Sequence, residues 1–322
     1  MDMTMLLLLL GAGALVIPML SDDDNDSEDE APNEVRGTPE DDELSGTLKD
    51  DEIFGLEGND TINAWDGDDT IYGGDGEDTI NAGLGNDTVY GGDDRDLIHG
   101  RAGDDILYGE GGDDRIEGGA GDDVIDTGDG EDHVFAGAGN DVIFGSAGTN
   151  TLRGEGGDDD IFLWGEGGHA FGGEGNDELV MVTGRGVLDG VAGTNTFYAL
   201  ANDDDEQETV AIIQELGTGD EIVMTIDTSD PTAVNADLKV TVTEDSINGI
   251  DGYRVDVSFL NPEDEPADDQ TYETSVVYIY GRSVDIDTVL ESIRVDVTLD
   301  AGLSTTDAQL TFETVKAGAT AL

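Results

Sequence analysis

Large apolar residues recur at an interval of nine through the middle of the chain: Ile53, Ile62, Ile71, Ile80, Val89, Ile98, Leu107, Ile116, Ile125, Val134 and Ile143. Read as position 8 of a nine-residue block, each sits in a short polar–apolar–polar run, as expected of a brief strand with one buried face. Glycine recurs at positions 1, 2 and 4 of the same block, where it allows the positive φ of a tight turn and a close approach of carbonyl oxygens. Each block therefore reads as a turn followed by a strand. Blocks such as GLEGNDTIN (55–63) and GGDGEDTIN (73–81) follow one another without insertion, and seventeen of them fill 46–198.

The texture differs on both sides. Met5 to Leu20 is an uncharged apolar run. As a helix it would span about 24 Å, short of a bilayer core of about 30 Å. It is expected to be an N-terminal leader or anchor, with a cleaved signal and a buried segment as the other readings. Residues 21–45 carry twelve acids against Arg36 and are expected to be an extended, self-repelling tether. From 199 onward longer alternating runs appear: TVAIIQEL (209–216), EIVMTI (221–226), LKVTVTE (238–244), YRVDVSF (253–259), TSVVYIYG (274–281) and IRVDVTL (293–299). They predict a small β-sandwich-like C-terminal region, with one helix over 285–293.

Composition narrows the chemistry. The 322 residues hold 78 acidic and 12 basic side chains, a net charge of −66, with 48 glycines and no cysteine. Such a field repels phosphate, so nucleic acid is excluded as a partner. Without cysteine there is neither a disulfide framework nor a thiolate metal site. Carboxylates in this excess suit hard cations, or else a solvated, disordered chain.

Position 6 decides between these. It is aspartate in eleven consecutive blocks: Asp51, Asp60, Asp69, Asp78, Asp87, Asp96, Asp105, Asp114, Asp123, Asp132 and Asp141, and again at Asp159 and Asp177. Asn150, Gly168 and Gly186 interrupt the series, and Asp94 and Lys49 replace the glycine of position 4. The pattern G-G-x-G-x-D-x-U-x, with U a large apolar residue, resembles the calcium-binding nonapeptide of the RTX (hemolysin-type) proteins. That resemblance implies an all-β fold, a right-handed parallel β-roll with two blocks per coil, in which the turns of alternate blocks stack. It also implies calcium ions between stacked turns, up to about eleven. Their ligands would be the thirteen aspartates and the turn carbonyls of Gly58, Gly67, Gly76, Gly85, Gly103, Gly112, Gly121, Gly130 and Gly139. At a dissociation constant of roughly 0.1 to 1 mM and tenfold higher free calcium, each ion would contribute about 1.4 kcal/mol. The roll is thus expected to be disordered without calcium.

The stretch VAIIQELGTGDEIVMTI (210–226) resembles the segment that follows the roll in serralysin-like secreted proteins, where a strand, a G-x-D turn and a strand cap the coil. The family's secreted members imply an extracellular location and type I secretion machinery as a partner; the tail here reads TVKAGATAL, without the acidic-then-aliphatic ending of that signal. Membrane contact, if any, is expected through residues 5–20.

No catalytic constellation is present in the sequence. HExxH and GxSxG are both absent, and His99, His133 and His169 are expected to be exposed surface residues. Trp65 and Trp164 read as packing residues near the turn edge, and Phe259, Tyr278 and Tyr280 as core or cross-strand pairs. Asp203, Asp204, Asp205, Asp264 and Asp268 read as solvated loop charges. The expectation is a non-enzymatic calcium-binding protein, secreted or tethered to the surface. The alternatives are an adhesin or matrix protein whose 199–322 region binds a glycan or protein partner, and an unrecognised enzyme in that region.

Overall fold

The computed structural model describes residues 15–16, 32–202, 210–214, 216–228, 237–247, 250–260, 273–280, 289, 292–299, 303–305 and 310–315. The chain is an all-β protein built on a parallel β-solenoid of about nine turns. It divides into two compact units, Met1–Ala147 with Thr151–Glu155, and Gly148–Asn150 with Gly156–Leu322.

In the first unit the strands from Asn33 onward pair in parallel with the strand two blocks away. Thr61, Ile62 and Asn63 lie opposite Thr79, Ile80 and Asn81, and Ile71 lies opposite Val89. One coil is therefore two blocks, with adjoining coils about 4.8 Å apart. Main-chain bonds tie each coil to the next, as from Thr79 N–H to the Asp60 carbonyl at 2.8 Å. Inward-facing positions alternate through 6, 8 and 1. The position-8 residues from Ile53 to Ile143 are wholly buried, and so are Ala64, Ala82 and Ala136 at position 1. An aliphatic column thus fills the coil, flanked by a column of carboxylates.

Coiling starts earlier than the sequence reading placed it. Residues 33–45, expected to belong to the disordered tether, carry the strands Asn33–Arg36 and Glu43–Ser45. Val35 pairs with Ile53 and Leu44 with Ile62, and both Val35 and Leu44 are buried. The nonapeptide phase runs back through Leu44 and Val35, so burial of one apolar residue per block outweighs the repulsion of the surrounding acids. Of residues 1–31, expected as leader and tether, only Leu15–Val16 is described, as a strand parallel to Glu43–Leu44. Among the described residues no helix is long and apolar enough to cross a membrane.

The second unit changes character where the ligand-position aspartate is lost. Strands Asp160–Glu174 and Glu178–Ala192 each run unbroken through fifteen residues and pair in parallel. Their central glycines, Gly168 and Gly186, lie opposite one another, close to register shifts. The turn on that edge is straightened into strand, while Asp159 and Asp177 keep the turn on the other.

All six C-terminal runs form strands, and Val289 and Ser292 are helical within the expected helix. Parallel pairing continues past 198, with Arg185 opposite Val210 and Thr196 opposite Glu221. Beyond these strands, Asp237–Ile247, Ile250–Leu260 and Glu273–Tyr280 pair antiparallel in sequence. The Tyr278 and Tyr280 rings stack at 6.1 Å. Asp203, Asp204, Asp205, Asp264, Asp268 and the last seven residues lie outside the described residues.

Candidate metal centre

The turn geometry follows from two positions. From Leu56 to Gly139, positions 2 and 4 adopt left-handed φ even where they are not glycine, as at Leu56, Trp65, Asp94, Arg101 and Glu110. All nine glycines put forward as carbonyl donors share it, among them Gly58 at 111° and Gly103 at 140°. A Cβ on Gly103 would overlap the Gly85 carbonyl oxygen one coil away. Position-1 glycine serves a different end. It has no positive φ; its α-carbon faces inward against the turn's own aspartate. A Cβ on Gly118 would meet the Asp123 carboxylate and would sit 2.5 Å from the Ala136 carbonyl oxygen. At Gly46 the corresponding oxygens are Asp51 Oδ2 and the Ala64 carbonyl, each 2.6 Å from that point. A carboxylate oxygen and a main-chain oxygen of the next coil converge there.

The position-6 aspartates form a buried ladder on each of the two turn edges. Each donates its N–H to the Oδ1 of the aspartate eighteen residues on: Asp60 to Asp78 at 2.7 Å, Asp69 to Asp87, Asp78 to Asp96, Asp87 to Asp105, Asp96 to Asp114 and Asp105 to Asp123, each at 2.8 to 2.9 Å. Asp114 bonds likewise to Asp132 and Asp123 to Asp141. In the second unit Asp159 donates to Asp177. One oxygen of each carboxylate is thereby engaged. The other, Oδ2, is buried with no hydrogen-bond partner at Asp60, Asp69, Asp78, Asp87, Asp96, Asp105, Asp114, Asp123 and Asp177.

Such atoms are costly when charged and unpaired. Burial pushes Asp87 and Asp96 up to about 8, and Asp114 and Asp123 to about 7; the received N–H bond opposes this and neighbouring carboxylates add to it. Asp69, Asp78, Asp105, Asp132 and Asp177 are pushed to about 6 by the same burial.

The donor set is oxygen alone, which fits calcium and not a softer metal. Among the described residues no three acidic or histidine side chains cluster as a site. Each turn brings one carboxylate, so the remaining donors would be main-chain carbonyls of the kind that converge beside position 1.

Sequence reasoning missed several members of the ladder. Asp42 is in phase nine residues before Asp51 and is buried, its N–H on Asp60 Oδ1 at 2.8 Å. Asn195 accepts from Asp177 and donates to Asp220 Oδ1, both at 2.9 Å. Asp220 closes the turn GTGD (217–220), so its signal lay in the sequence. Position 5 forms a second, exposed ladder, in which Asp68 Oδ1 accepts from Asn86 and Asp104 Oδ1 from Asp122.

Two readings are corrected, that of His99 as exposed and that of Trp65 as packed. His99 is half-buried, with Nδ1 3.0 Å from Glu117. Trp65 is 55% exposed, held by Nε1–H donation to Ser45 Oγ at 2.9 Å.

The RTX calcium-binding nonapeptide repeat family matches this sequence in six overlapping stretches, 36–71, 58–89, 72–107, 90–125, 108–143 and 126–161. No curated protein matches it. Among solved structures, the extracellular lipase LipA from Serratia marcescens is similar at 14% identity, with a TM-score of 0.19 over 79% of this chain. The chain spans 39% of that lipase.

Proposed function

We propose, from the premise that the chain is an RTX β-roll protein, that its calcium-binding repeats make folding of the coil conditional on calcium outside the cell. The observation that carries this is the row of buried Oδ2 atoms without hydrogen-bond partners, one per turn from Asp60 to Asp123. Divalent charge between the turns, when bound, would offset the carboxylate repulsion that the main chain alone leaves standing. The residues that would hold it are the interior aspartates and the turn carbonyls beside them. Extracellular calcium is near-millimolar in the range that repeated weak sites use, whereas a scarce-calcium compartment would leave the ladder charged and open. The chain's role is binding and not catalysis, a reading supported by the absence of HExxH and GxSxG from the sequence.

A far-UV circular dichroism titration of the full chain tests it. Metal-depleted protein is expected to lack the β signal and to gain it over roughly 0.1 to 1 mM calcium. Full β signal in EGTA overturns the proposal.

A further inference from the structure

We infer that the carboxylate ladder is closed at its ends by rungs that take no calcium: Asp42 and Asp51 at the start of the first unit, and Asp220 in the second. This rests on calcium being held by the interior rungs. The interior aspartates leave Oδ2 without a hydrogen-bond partner, but these three do not. Asp42 Oδ2 accepts from the Thr38 N–H at 2.6 Å and from Thr38 Oγ1 at 2.9 Å. Asp51 Oδ2 accepts from the Thr47 N–H and from Thr47 Oγ1 at 3.0 Å. Asp220 Oδ2 accepts from the Gly217 N–H at 2.6 Å.

The cause is local. Position 2 is threonine in the blocks GTPEDD and GTLKDD, and neither Thr38 nor Thr47 takes the left-handed φ that every position-2 residue from Leu56 to Gly137 adopts. Their N–H groups are turned into the turn, onto their own aspartate. A hydroxyl and an amide then neutralise by hydrogen bonding the oxygen that elsewhere is left for a cation. In the second unit the short turn Gly217–Asp220 achieves the same with a main-chain donor. The ladder also tolerates a neutral rung, since Asn195 occupies one while keeping both neighbouring bonds.

The test counts calcium on the full chain by equilibrium dialysis at saturating calcium, for the unmodified protein and for Asp51→Asn, Asp220→Asn and Asp96→Asn. Asparagine's single amide oxygen can keep the Thr47 bonds at position 51 and one of the two N–H bonds that Asp220 accepts, so the end variants are expected to fold and to bind as many ions as the unmodified chain. Asp96→Asn is expected to bind at least one fewer. Loss of calcium by Asp51→Asn or Asp220→Asn equal to the loss by Asp96→Asn overturns the inference. Should Asp51→Asn lose its β signal in calcium, the count on Asp42→Asn decides in its place. An unmodified chain that binds no calcium would instead sink the functional reading on which this rests.

Discussion

At the scale of single residues, the ladder aspartates carry a pH dependence whose sign is the reverse of an ordinary salt-bridged carboxylate. From Asp60 to Asp132 the folded-state values lie above the usual 3.8, at about 6 for Asp78 and about 8 for Asp96, chiefly through burial. A group raised on folding favours the folded state below its unfolded value, and that contribution is lost as pH climbs through the folded one. In metal-depleted buffer the coil should therefore gain β signal on acidification from pH 8 toward pH 4, read by far-UV circular dichroism. A signal that falls over that interval would contradict the ladder's geometry. The position-6 aspartates and position-8 aliphatics were legible in the sequence because one residue type holds one role in every block. The role of position-1 glycine was only partly so: its inward approach to a carboxylate belongs to the folded coil, and composition cannot distinguish it from turn flexibility. Thr38 and Thr47 were unreadable for the same reason, since their significance lies in which way an N–H points.

At the scale of elements, strand stacking turns a one-per-coil residue into a column. Phe54, Tyr72, Tyr90 and Tyr108 stack ring on ring at 4.9 to 5.0 Å, within 7° of parallel. Arg36 covers the end of the column, 4.4 Å from the Phe54 centroid. Each ring pair is worth about 0.5–1.5 kcal/mol beyond its burial. Tyr90→Ala breaks two pairs, and should destabilise the calcium-loaded protein by roughly 1–3 kcal/mol. Tyr90→Phe should be near neutral. Urea denaturation in saturating calcium separates the two, and equal midpoints would show the column to be ornamental. The column follows directly from the nine-residue phase, as do the strands from Asp51 to Ile143. What the phase concealed was the first coil: Pro39 and the acids around Asp42 gave 37–45 the composition of a linker, although Leu44 kept the interval. In the C-terminal region the runs themselves were readable, but their partners were not. Pairing between Arg185 and Val210 spans 25 residues where the coil uses 18, and no local pattern announces that inserted length.

At the scale of the whole molecule, a charge of −66 is compatible with a packed coil only because the burden is sorted by position. The buried ladder holds the carboxylates that need a counter-ion, the outer ladder at position 5 stays hydrated, and the aliphatic column is left undisturbed between them. At this scale the nine-residue period made a repeated turn and strand legible, whereas the parallel roll with two blocks per coil came from the resemblance to the RTX nonapeptide. The regular winding of the first unit has a mechanical corollary. Each coil touches only its two neighbours, so a chain pulled from one end should peel away one loop at a time. Eighteen residues drawn straight reach about 59–65 Å, and each release forfeits about 4.8 Å of stacked height. Force spectroscopy in calcium should then record equal steps of roughly 55–60 Å, and in chelator a smooth, stepless extension.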